Sequence, residues 1–129
     1  MSWTLRLPAD RPWLELTYSG LVSRAELHEA LQAVLELVPQ LEHLLLFADC
    51  RDLEGGHSPV DLLQLIEHID ALPLTKPFRE AILMREGRAA EAVHFYEMAC
   101  RNRGIQVRVF EERSAAEAWL ELHAQPPER

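Results

Sequence analysis

At 129 residues, 48% hydrophobic and 26% charged, the chain has the make-up of one ordinary globular domain with one core. Its formal net charge of −8 argues against a nucleic acid or an anionic membrane surface as partner, since both ask for a basic stripe. No apolar run approaches the roughly 18 residues of a membrane span, and Met1-Ser2-Trp3-Thr4-Leu5-Arg6 carries no apolar signal core, so the expected location is the cytoplasm.

In chain order, Trp3, Leu5 and Leu7 alternate with Thr4 and Arg6, the pattern of a half-buried strand. Pro8-Ala9-Asp10-Arg11-Pro12 is a turn by its residue types. Leu14, Leu16 and Tyr18 then alternate with Trp13, Glu15 and Thr17, and the two strands are expected to form an antiparallel hairpin. Gly20 closes the second strand. Ser23-Arg24-Ala25-Glu26 reads as a capping box. Leu27, Leu31, Val34, Leu35 and Val38 follow on one helical stripe, which Pro39 ends.

Leu44-Leu45-Leu46-Phe47-Ala48-Asp49 is an unbroken apolar run that stops at an acid. It lacks alternation, so both of its faces should be covered, as in the central strand of a parallel sheet. A polar loop is expected from Cys50, through Gly55 and Gly56, to Ser58. Ser58 would cap the next helix, with Pro59 at its first position. Leu62, Leu65, Ile66 and Ile69 form that helix's stripe, and Pro73 lies past its end.

Leu74 to Pro77 reads as a linker, Ala81 to Met84 as a short interior strand, and Arg85 to Arg88 as its exit loop. A third helix is expected from about Ala89 to Arg103, with Ala89, Ala92, Val93, Tyr96, Ala99 and Cys100 on one face. Phe95 and Met98 flank that face, and Gly104 is placed as the left-handed residue after the helix. Ile105, Val107 and Val109 alternate as an edge strand. Ser114 to Glu117 reads as another capping box, opening a last helix with Ala118, Trp119 and Leu122. Residues 125–129 read as a frayed tail, leaving a single domain over residues 1–124.

These elements make an α/β domain of order ββαβαβαβα. It should hold a mostly parallel five-stranded sheet, an antiparallel first strand at its edge, and four helices. The pattern leaves the strand order open. Sites in such sheets lie outside the carboxyl ends of the parallel strands. The alternating edge strands permit a homodimer without requiring one.

The element order resembles the STAS domain, the family of bacterial anti-sigma factor antagonists, and its SpoIIAA-like relatives. The likeness rests on Leu45-Leu46-Phe47-Ala48-Asp49 with Arg51-Asp52-Leu53, and on Ser58-Pro59-Val60-Asp61-Leu62-Leu63. It also rests on Gly104-Ile105-Gln106-Val107-Arg108-Val109-Phe110 with Ala116-Glu117-Ala118-Trp119-Leu120. It implies a non-enzymatic regulatory module that binds a protein partner. In regulatory members a serine at the start of the second helix is phosphorylated by a partner kinase, and Ser58 matches that position. His57 stands where the family pattern has an acid, and Pro59-Val60 where it has small residues. The related CRAL-TRIO fold implies the alternative, a carrier of a lipid or other small apolar ligand.

Taken by themselves, Asp49, Arg51, Asp52 and His57 gather at the loop beside Ser58. A carboxylate beside an imidazole can do acid–base work. An Asp–Arg pair that pins the loop is the simpler use of the same residues. The six histidines show no metal-ligand spacing, and Gly55-Gly56 lacks a phosphate-loop lysine, so neither a metal nor another cofactor is expected. Cys50 and Cys100 read as small buried apolar groups.

Overall fold

A computed structural model describes residues 2–124. The expected tail, 125–129, lies outside the described residues. The hairpin forms as expected: β1 (Trp3–Arg6) pairs antiparallel with β2 (Leu14–Leu21). Next come α1 (Arg24–Leu37), a 3₁₀ turn over Val38–Gln40, β3 (Leu44–Gly55), α2 (Pro59–Asp70), β4 (Phe78–Leu83), α3 (Ala90–Asn102), β5 (Gln106–Phe110) and α4 (Arg113–Ala124).

Strand order follows chain order, β1-β2-β3-β4-β5, and β2 to β5 are mutually parallel. Each crossover steps to the next neighbour with the same preferred hand, so α1, α2 and α3 fall on one face of the sheet. The chain then has one helix left, α4, which covers the other face. The two faces of β3 show this division. Leu44, Leu46, Ala48 and Cys50 pack with Leu27, Val34, Leu62, Ile66 and Val93 of the three-helix layer. Leu45 and Phe47 pack with Trp13, Ala116 and Leu120 under α4. Leu44 to Ala48 are all buried, which is why alternation is absent from the sequence there.

Three boundaries differ from the sequence reading. β3 does not end at Asp49 but stays paired with β2 as far as Gly55. Its register against β2 slips between Thr17 and Ser19 and again between Gly20 and Leu21. Each slip inserts one extra β3 residue, so bulges carry the strand through a stretch that reads as loop. β4 starts at Phe78 rather than Ala81, because Phe78, Arg79 and Glu80 pair with Leu44, Leu45 and Leu46. α4 starts at Arg113: the Ala116 amide donates to the Glu112 carbonyl, 3.2 Å away, which places Ser114 inside the helix rather than at its cap. Glu117 pairs there with Arg113 at 3.2 Å.

The other signals act as read. Ser23 and Glu26 form the reciprocal capping box of α1. Gly104 follows α3 with φ of +77°, the left-handed conformation that ends helices. Among the described residues no helix is long and apolar enough to cross a membrane.

Candidate functional site

The parallel run brings the carboxyl ends of β2 to β5 to one rim, where such sheets meet other molecules. The bulged half of β3 sets Asp49, Arg51 and Asp52 there, and the Gly56-His57-Ser58 turn leads into α2.

Asp49 and Arg51 hold each other. Asp49 Oδ1 accepts from the Arg51 amide (3.1 Å) and Nε (3.0 Å), and Oδ2 accepts from Nη2 (2.9 Å). Burial pushes the Asp49 carboxyl up, but the Arg51 side-chain and amide hydrogen bonds outweigh it and leave the group below its ordinary value. Asp52 takes Arg85 Nη2 at 2.8 Å, an exposed pair that ties β3 to the loop after β4 and adds little stability. His57 Nδ1 stands 2.8 Å from the Val22 carbonyl, which only an N–H can satisfy. The rim residues therefore share one end of the sheet without forming a single cluster. No hydrogen bond or ion pair joins His57 to Asp49 or Asp52 among the described residues.

Ser58 is the N-cap of α2. Its hydroxyl accepts from the Asp61 amide at 3.1 Å, and Asp61 Oδ2 accepts from the Ser58 amide at 2.8 Å. That backbone hydrogen bond holds the Asp61 carboxyl below its ordinary value. Ser58→Ala is expected to cost about 1 kcal/mol, read as a shifted denaturation midpoint at unchanged slope, with Ser58→Asn restoring most of it.

The structure adds a group that the rim residues do not suggest. Glu80 is 6% exposed, and the Tyr96 hydroxyl donates to its Oε1 at 2.8 Å. Burial raises the Glu80 carboxyl to about 7, against the opposing pull of Tyr96. Tyr18 and Cys50 lie nearby, each pushed up first by burial and then by neighbouring acids. Burial likewise raises the Cys100 thiol, to about 12, so neither cysteine offers a thiolate. Both are free and buried. The signal for Glu80 is strand parity. It shares a two-residue spacing with Ile82 and Met84, so it must face the three-helix layer once the strand starts early enough to include it.

No protein-family model matches the chain, and no curated protein matches it in sequence. The crystal structure of an uncharacterized protein of the DUF3478 family, with a SpoIIAA-like fold, from Shewanella loihica PV-4 does resemble it. The TM-score is 0.59 at 16% identity, over 92% of this chain and 91% of that one. The likeness shows the fold: five strands, the first antiparallel, with four helices in a SpoIIAA-like arrangement.

Proposed function

We propose that this chain is a non-enzymatic, cytoplasmic interaction module that docks a partner protein on the carboxyl rim of its sheet. One observation carries the reading. Leu21 is 68% exposed, Val60 60% and Leu63 37%, and they stand on either side of the Gly56-His57-Ser58 turn. Leu21 ends β2 opposite Gly55, while Val60 and Leu63 lie three residues apart on the outer side of α2. Charged Arg51, Asp52 and Arg85 lie along the same rim. Apolar anchors inside a polar border are the anatomy of a protein interface. The non-enzymatic part is supported by the use already made of the rim groups: both aspartates are paired with arginines and the Ser58 hydroxyl is a cap.

A switch at Ser58 would work through the cap. A phosphate there adds about −1.5 to −2 charges next to the Asp61 carboxylate, which now holds the Ser58 amide. Repulsion would free that carboxylate and change the surface that Val60 and Leu63 share. The carrier alternative draws less support from the interior. Between the sheet and the α1–α3 layer the voids measure about 60 and about 30 Å³, against roughly 300–1,000 Å³ for sites that enclose a ligand of drug size.

The test is capture from extract of the source cell by the immobilised chain. The parent is expected to retain a specific protein, Val60→Glu with Leu63→Glu to lose it, and Leu122→Glu, an exposed apolar site on α4, to keep it. Equal capture by the rim variant would overturn the reading.

A further inference from the structure

The core is not solid around Glu80. A cavity of about 60 Å³ lies against Tyr18, Cys50, His57, Leu62, Glu80 and Tyr96. A smaller one, of about 30 Å³, touches the same Tyr18, Glu80 and Tyr96 from the side of Leu31 and Phe78. Among the described residues, the one hydrogen bond given to the Glu80 carboxyl is that of Tyr96 to Oε1. Oε2 and the Tyr18 hydroxyl have no protein hydrogen bond there, although both residues are at least nine-tenths buried. Neither oxygen is sealed off, Trp13 Nε1 being the one fully buried side-chain atom without a partner among the described residues, so a donor in the cavity can reach both.

The surroundings select the donor. The ionisable groups facing Glu80 are Tyr18 from β2, Cys50 from β3, and Tyr96 and Cys100 from α3. All four are acids. From α1 and α2 come only apolar side chains, Leu27, Leu31, Val34, Leu62, Leu65 and Ile69, and neither cavity is lined by a lysine or arginine. His57 stands at the rim end with its Nδ1 engaged by Val22. The site thus presents acceptors, an apolar wall and no cation of its own.

We propose that the larger cavity binds a small organic cation, a primary ammonium carrying a single methyl group. Its N–H groups donate to Glu80 Oε2 and the Tyr18 hydroxyl, and its methyl group lies against Leu27, Leu62 and Val93. A volume near 60 Å³ admits about one carbon beside the nitrogen, since one water takes roughly 30 Å³ of liquid. The pairing supplies the counter-charge that a buried carboxylate requires. This site is interior and separate from the docking rim, so either can fail without the other.

The experiment titrates the full chain with methylammonium chloride and follows amide and carboxyl NMR shifts. Potassium chloride serves as the ionic control and methanol as the neutral isostere. Saturable shifts at Tyr18, Cys50, Glu80 and Val93 are expected. The apparent affinity should be about tenfold weaker at pH 6 than at pH 8, because only ionised Glu80, titrating near 7, pairs with the ammonium. Glu80→Gln should abolish saturation. So should Ala92→Leu, which narrows the same cavity and leaves Glu80 in place, and which decides the matter if Glu80→Gln does not fold. The proposal is overturned if the parent shows no saturation, which would leave water as the occupant. Shifts that persist in Glu80→Gln, or methanol binding as tightly as the ammonium, would overturn it equally.

Discussion

Replacing Gly56 by alanine is expected to lower the free energy of unfolding by about 3 kcal/mol. Gly56 has φ of +101°, a conformation that costs an L-residue roughly 1–3 kcal/mol. A Cβ there would stand 2.6 Å from the Val22 nitrogen, 2.8 Å from its oxygen and 3.0 Å from its carbonyl carbon. All three are backbone atoms, so no side chain can swing aside. The backbone must part instead, and it carries the 2.8 Å bonds from the Val22 amide to the Gly55 carbonyl and from His57 to the Val22 carbonyl. Alanine's stiffer unfolded chain returns only about 0.4–1 kcal/mol. Gly55→Ala is the control: its φ is +126°, yet a Cβ there meets nothing within 4 Å. Denaturant titration should therefore rank Gly56→Ala clearly below Gly55→Ala. Equal losses would mean that the turn does not press against the Val22 backbone just after β2.

Glu80→Gln is expected to gain on the parent as pH rises from 4.5 to about 7, by an amount that reaches about 3 kcal/mol. The sign follows from burial. The folded chain holds the Glu80 proton up to about pH 7, while the unfolded chain releases it near the ordinary value of 4.5. Between those values the native state binds more protons, so its stability falls as pH rises. The contribution is whole below 4.5 and gone above about 7. Glutamine stays neutral throughout and removes that slope. Asp49 and Asp61, both held below their ordinary values, act in the opposite sense, keeping their contribution at neutral pH and losing it in acid. Subtracting the Glu80→Gln profile from the parent's cancels them. Tyr96→Phe removes a donor that favours the ionised carboxyl and should extend the parent's fall in stability to higher pH. A flat difference between parent and Glu80→Gln would show that Glu80 is not held in an apolar surround.

How far the fold can be read from the chain depends on what each residue pattern encodes. Leu44 to Ala48 state their own environment, because a strand covered on both faces has no polar residue to alternate. Ser23, Ser58 and Gly104 state their positions through local hydrogen bonding and backbone freedom, and those interactions form within a few residues. Strand order has no such local signature: one β3 sequence could pair with several neighbours, and only the packed helices select β2 and β4. The bulged end of β3 was illegible for a related reason. Arg51, Asp52 and Glu54 read as loop by composition, and a long β2 beside them makes them strand. Glu80 was legible in principle. It needed β4 to be extended three residues back, and that extension is set by pairing to Leu44, Leu45 and Leu46 rather than by the apolar run. Among the site residues, Asp49 and Arg51 pair as their chemistry suggests, whereas His57 is engaged by the Val22 carbonyl rather than by either aspartate.

The docking rim is tested most directly by amide hydrogen exchange on the chain, free and bound to the protein it captures. New protection should fall on residues 19–22 and 51–63 and leave α4 and the β5 edge unchanged. Protection centred on α4 or β5, with the Gly56-His57-Ser58 turn exchanging as fast as before, would contradict it.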